Sequence, residues 1–121
     1  MERKGYLYLN EVKVTGRLTD EVSYKNFEKG GSFAEFTVAH NRKWKQKESE
    51  EWKESTSFFR VKAYNGLAEK VKEKFKKGDF VLVEGRLQEE TWETEDGQKR
   101  SRVKIIADNL HLIFPYEKKE D

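Results

Sequence analysis

The chain has 121 residues, of which 35% are hydrophobic and 40% charged, a balance that fits one domain with a small core and excludes a large enclosed substrate cavity. Net charge is +2, from 25 basic and 23 acidic residues, so a polyanion must be met by local arrangement of charge and not by the total. The absence of cysteine excludes disulfides, thiolate metal sites and a cysteine nucleophile, and agrees with a reducing compartment.

The first strand is expected from about Tyr6 to Leu18, with Val12, Val14, Gly16 and Leu18 on one face and Lys13, Thr15 and Arg17 on the other. Gly30-Gly31 marks a loop. The second strand runs from about Phe33 to Asn41, with Ala34, Phe36, Val38 and His40 inward. The polar stretch from Lys45 to Ser55 reads as a mobile loop. The third strand is Thr56 to Tyr64: Phe59, Val61 and Ala63 form its apolar face, and Phe58, Arg60, Lys62 and Tyr64 the other. A helix is predicted from Gly66 to Lys77, because Leu67, Val71 and Phe75 recur every four residues with Ala68 beside them. Asn65 is its predicted N-cap and Gly78 its stop. The fourth strand covers Phe80 to Trp92, Asp96-Gly97 makes a hairpin turn, and the fifth strand covers Lys99 to Ile113 with Val103, Ile105 and Ala107 on one face. Gly16 and Gly85, inside strands, permit the sharp bends of a closed barrel.

Three strands, one helix and two strands leave a narrow helix to cover five strands. Curling the sheet into a barrel with the helix plugging one end buries every apolar stripe, so the predicted fold is an all-β oligonucleotide-binding (OB) barrel with one helix. The alternative is an open sheet completed by oligomerisation. Residues 1–114 would form this domain and 115–121 a short charged tail. No stretch approaches the roughly 18 apolar residues that span a bilayer, and the charged start is followed by no signal-peptide core. The sequence therefore reads as a soluble cytoplasmic protein with no membrane partner.

Cations interleaved with rings recur on several elements. They are Lys13 and Arg17; Arg42, Lys43, Trp44, Lys45 and Lys47; Phe58, Arg60, Lys62 and Tyr64; Arg86, Gln88 and Trp92; and Lys99, Arg100 and Arg102. A basic groove with flat rings suits single-stranded nucleic acid, because every base has a π-face. Trp44 and Trp92 read as contacts. Trp52, deep in a polar stretch, stays open between contact and loop anchor. The carboxylates Glu89, Glu90, Glu93, Glu95 and Asp96 lack calcium-loop spacing and read as a solvated hairpin. His40 and His111 belong to no defensible catalytic order, and no phosphate-binding glycine loop is present. The expectation is a non-enzymatic binding protein with no catalytic residues, no metal and no cofactor.

The stretches Val12-Lys13-Val14-Thr15-Gly16-Arg17-Leu18-Thr19, Phe36-Thr37-Val38-Ala39-His40-Asn41-Arg42 and Phe58 through Glu69 resemble bacterial single-stranded DNA-binding proteins. So do Lys77-Gly78 through Val83-Glu84-Gly85-Arg86-Leu87, Trp92 through Gln98 and Ala107-Asp108-Asn109. The resemblance is collinear from about Leu9 to Ile113. It implies an OB fold, assembly as a homotetramer, and sequence-independent coating of single-stranded DNA in replication, recombination and repair, in the nucleoid. It places the stacking rings on Trp44, Phe58, Tyr64 and Trp92. Phe58 stands where a tryptophan is often found, and Glu90 where some relatives carry a basic residue. The residue reading adds phosphate partners Lys13, Arg17, Arg42, Lys43, Arg60, Lys62 and Arg86. The resemblance also implies subunit contacts along the Tyr6–Val14 edge, with Phe59 packed inward or at such a contact.

Family members usually continue into a tail whose acidic, Pro-Phe-terminated end recruits replication and repair enzymes. The sequence ends Phe114-Pro115-Tyr116-Glu117-Lys118-Lys119-Glu120-Asp121 without that motif. Either the chain is trimmed or it recruits no partners that way. Two rival readings follow: a dimeric primosome-type accessory protein, and an RNA-binding OB module.

Overall fold

The computed structural model describes residues 7–117. Its elements are β1 (Val12–Leu18), β2 (Ser23–Asn26), β3 (Ser32–Lys45), β4 (Trp52–Tyr64), α1 (Asn65–Lys74), β5 (Phe80–Glu93) and β6 (Lys99–Phe114). The strands are ordered β1-β5-β6-β4-β3-β2, and β1 also pairs with β3 through Arg17↔Ala39 and Leu18↔Val38. That pairing closes β1, β5, β6, β4 and β3 into the five-stranded barrel expected from the sequence, and it excludes the open sheet. β2 is an added ribbon on the outer edge of β3. All pairings are antiparallel except β4 with β6.

Alternation builds the core. Leu18, Ala34, Phe36, Val38, Val61, Ala63, Val81 and Val83 point inward at period two, and Ala68 and Val71 of α1, with Phe75 just beyond its end, close one end over them. Gly16 sits where β1 meets β3: a Cβ there would lie 2.6 Å from the Ala39 carbonyl oxygen. Any side chain would push the closing strands apart. Among the described residues no helix is long and apolar enough to cross a membrane.

Several boundaries differ from expectation. β1 begins at Val12; Tyr6 lies outside the described residues, and Leu7 to Glu11 form no strand. Asn10 takes the ladder's place there: its side chain accepts from the Leu87 N–H at 2.9 Å and donates to the Leu87 carbonyl at 2.8 Å. β2 has only four residues, too few for a periodic signal. Most consequentially, Lys45 to Ser55 is not an unstructured loop. β3 runs to Lys45 and β4 starts at Trp52, joined by a turn in which Gln46 N–H donates to the Glu51 carbonyl at 2.9 Å. This arm has solvent on both faces, so it carries no hydrophobic alternation for a sequence reading to detect.

The helix starts one residue early and ends three early. Tyr64, not Asn65, is its N-cap, with no side-chain cap. Asn65 has φ 54° and its Oδ1 accepts the Ser32 N–H at 3.2 Å, which ties α1 to β3. Phe75 breaks the helix by turning extended, and Gly78, at φ 92°, serves the following turn. Buried Asp79 holds that turn, accepting from the Lys76 N–H and from the Tyr116 N–H, each at 2.9 Å. Residues 115–117 therefore fold back on the barrel; the rest of the expected tail, 118–121, lies outside the described residues. In β6, Ile105 and Ala107 are buried as expected, but Val103 is exposed and Lys104 and Ile106 are buried as well. The sequence reading missed that second covered face.

Candidate nucleic-acid interface

The pairing of β3 with β4 runs unbroken from Phe33↔Tyr64 to Lys45↔Trp52. Side-chain parity is therefore preserved along both strands. On the outer face, β4 presents Tyr64, Lys62, Arg60 and Phe58, opposite Phe33, Glu35, Thr37 and Ala39 of β3. The second half of β5 extends this face with Glu90 and Trp92, and the first half of β6 with Arg102 and Lys104.

An ion cluster occupies its middle. Lys104 is only 3% exposed, with Nζ 3.2 Å from Glu35 Oε2 and 2.8 Å from Glu90 Oε2. Arg60 Nη1 also reaches Glu35 Oε2, at 3.2 Å, and Lys62 Nζ stands 3.9 Å from Glu35 and 4.0 Å from Glu90. Arg102 Nε is 3.7 Å from Glu90. Four cations thus face two carboxylates, leaving two positive charges for an incoming anion. Partial burial pushes the Glu35 carboxyl up, but the Lys104 hydrogen bond and charge, with those of Arg60 and Lys62, outweigh it and hold the group below its ordinary range. For Glu90 the Lys104 hydrogen bond leads, and with the nearby cations it overcomes desolvation to the same end.

Rings flank the cluster, and cations lie over several of them. Lys62 Nζ is 4.6 Å from the Phe33 centroid and 5.3 Å from that of Tyr64; the Arg102 guanidinium is 5.0 Å from the Trp92 ring. Phe58 is 65% exposed. A row of exposed rings beside cations with spare charge can stack bases and meet the phosphates between them.

Of the residues singled out in the sequence, the fold brings Phe58, Arg60, Lys62, Tyr64 and Trp92 together on this face. Lys43 lies further out on the same face of the arm. Arg42 and Trp44 share the inward parity of Val38 and His40, so they lie on the arm's opposite face, with the Arg42 guanidinium 5.4 Å from the Trp44 ring. Three cations sit elsewhere. Lys13 pairs with Glu84 at 3.8 Å, beside His111. Arg17 donates to the Gly78 carbonyl at 2.9 Å and covers the Phe80 ring. Arg86 stands 3.5 Å from Asp108 at the bulge between β5 and β6. Phe59, opposite Val38 on the inner face, stays partly exposed near His40. His40 is a packed residue, its Nδ1 2.8 Å from the Thr15 carbonyl.

Sequence reasoning missed Glu35, Phe33 and the burial of Lys104. Alternation from the inward Ala34 and Phe36 would have put Phe33 and Glu35 on the outer face. The acidic hairpin is largely solvated as expected, except Glu90, which belongs to the ion cluster.

A closed five-stranded barrel of this connectivity, end-capped by a helix and carrying exposed rings among cations, defines an oligonucleotide-binding domain. The single-strand binding protein family model matches residues 9–113, and the chain belongs to that family, whose members bind and do not catalyse. It is 47% identical over 105 residues to the single-stranded DNA-binding protein of Aquifex aeolicus, covering 87% of this chain and 70% of that one. Identity to the Treponema pallidum single-stranded DNA-binding protein is 37%, over 87% of this chain and 58% of that one. The structure is similar to a Plasmodium falciparum SSB in complex with ssDNA, with TM-score 0.81 and 26% identity, covering 93% of this chain and 99% of that one. It is also similar to a small single-stranded DNA-binding protein from Streptomyces coelicolor, with TM-score 0.71 and 25% identity over 88% of this chain and 96% of that one.

Proposed function

We propose that the protein binds and coats single-stranded DNA without sequence preference, serving replication, recombination and repair in the bacterial cytoplasm and nucleoid. The observation that carries this reading is the outer sheet face, where Phe58, Tyr64 and Trp92 surround an ion cluster with two cations in excess. Membership of the single-strand binding family and likeness to an SSB bound to ssDNA support it. Bases stack on Phe58, Tyr64 and Trp92, with Trp44 taking a strand that wraps the arm. Phosphates meet Arg60 and Lys62, then Lys43 and Arg42; Lys13, Arg17 and Arg86 are reached only by DNA that continues around the barrel. Counterion release contributes to affinity, so binding weakens with salt. Titration with a long homopolymer at low salt tests this: tryptophan fluorescence is expected to quench, and an unchanged signal with no bound DNA overturns the reading.

The protein is further proposed to act as a homotetramer. β1 pairs with β3 only at Arg17 and Leu18, leaving its edge from Val12 towards Gly16 without a strand neighbour among the described residues, beside the exposed Leu7 and Leu9. Light scattering is expected to give four chains. A dimer would favour the accessory-protein reading instead.

A further inference from the structure

Trp52 occupies the outer face of the arm, in register with the rings of the barrel. The β3–β4 pairing has no shift from Tyr64 to Trp52, so Trp52, Glu54 and Thr56 continue the face of Phe58, Arg60, Lys62 and Tyr64. Lys45 lies directly opposite Trp52, and Lys43 opposite Glu54, on that same face. Trp52 is 69% exposed, and among the described residues no ring or cation lies over it. Trp44 and Trp92, by contrast, each carry an arginine. A groove of about 360 Å³ opens beside Trp52, bounded by Lys43, Lys53 and Glu54.

A large bare indole on a solvated two-stranded ribbon stabilises no core: no buried residue lies beneath the arm among the described residues, and Trp52's neighbours are lysines and glutamates. Its chemistry suits a flat apolar partner flanked by negative charge. It lies six residue steps before Phe58, about 20 Å of strand, or roughly six rises of a stacked base. A single strand following Tyr64 and Phe58 would pass Trp52 next.

We propose that Trp52 is a further base-stacking platform, with Lys43 and Lys45 as its phosphate partners, that extends the DNA track outward along the arm. The proposal rests on the single-stranded DNA reading and adds a subsite to it. The bound group is a nucleobase of any sequence, with the phosphates on either side of it.

The test titrates labelled long oligothymidylate by anisotropy over a series of salt concentrations, with parent, Trp52→Ala, Trp52→Phe and Lys45→Ala. Loss of one stacked base predicts that Trp52→Ala binds roughly 5- to 150-fold more weakly, while Trp52→Phe keeps most of the affinity. Trp52→Ala should leave the salt slope unchanged, and Lys45→Ala should lower it by about one. If the arm were merely unfolded by Trp52→Ala, the Lys43 and Lys45 contacts would go too and the slope would fall; that result overturns the proposal. So does Trp52→Ala affinity equal to the parent's, which leaves the general DNA reading intact. A parent that binds no DNA overturns both.

Discussion

β4 passes through two environments, and the contrast explains how one strand both holds a barrel and offers a surface. From Ser57 to Tyr64 it is a wall of the barrel: Val61 and Ala63 are fully buried, and the outer residues Arg60 and Lys62 are fixed by Glu35, Glu90 and the rings of Phe33 and Tyr64. From Trp52 to Thr56 the same strand, on the same register, has no core beneath it. Its indole meets solvent and the facing strand, and Lys53 pairs with Glu51 of the adjoining turn at 3.8 Å. Preorganised cations bind with less ordering cost but are partly neutralised by their own carboxylates; arm residues carry fewer internal ties but must be ordered by the ligand. The barrel section therefore supplies register, and the arm supplies reach.

The largest expected effect separates the two through stability. Removing one member of a buried ion pair costs about 3–5 kcal/mol when the partner is left uncompensated. Glu35 and Glu90 keep Arg60, Lys62 and Arg102 and are themselves partly open to water, so Lys104→Ala should cost less, about 2–3 kcal/mol. Lys43→Ala in the arm should change stability by no more than about 0.5 kcal/mol. Denaturant midpoints at constant slope measure both. Equal midpoints for the two variants would show that the cluster is not integral to the fold.

The same contrast decides what the sequence revealed. β1, β3 and the inner half of β4 were legible because each has one buried face, which writes period two into the residues. The α1 stripe was legible for the parallel reason at period four. The arm was not, since both of its faces are wet and Lys43↔Glu54 looks like any polar stretch. Ending the second strand at Asn41 also hid the parity that puts Trp44 and Trp52 on opposite faces. Lys104 was illegible because its partner Glu35 is 69 residues away, and only the parallel pairing of β4 with β6 brings them together. Phe58 to Tyr64, by contrast, announced both faces within one short run.

A next test sharpens the comparison through affinity. Phe58 is exposed and no buried residue depends on it, so Phe58→Ala should leave the unfolding midpoint within about 0.5 kcal/mol. One stacked base is worth about 1–3 kcal/mol, and a phenyl ring offers less area than an indole, so affinity should fall by about 1–2 kcal/mol. Anisotropy titration at fixed salt reads the loss. An unchanged affinity would remove Phe58 from the interface.

Acid should distinguish the regions in the opposite sense. Glu35 and Glu90 titrate lower in the folded protein than in the unfolded chain. Their contribution is therefore complete above the ordinary value of 4.5 and is lost as pH falls through their lowered folded values. Between those limits stability should decline with pH, and Glu35→Gln should flatten part of the decline. Thermal unfolding at stepped pH provides the check; a parent and variant with the same slope would deny Glu35 that role.

The smallest expected effect concerns competition for the cluster's cations. Glu90 Oε2 occupies Lys104 at 2.8 Å and Arg102 at 3.7 Å, so a phosphate arriving there must share cations already engaged. Glu90→Gln removes one negative charge while keeping the side chain's size and one acceptor. The amide costs some stability, since Lys104 loses half of its anionic company, but it raises the cluster's excess from two positive charges to three. Near a protein surface such a charge change is worth up to about 1 kcal/mol and is screened by salt. DNA affinity should therefore rise a few-fold at low salt and converge with the parent's at high salt. The equivalent change in the arm, Glu54→Gln, faces Lys43 across a fully solvated ribbon and should raise affinity less. Matched titrations of the two variants decide the matter: a larger gain from Glu54→Gln would mean that the arm, and not the barrel face, carries the dominant phosphate contacts.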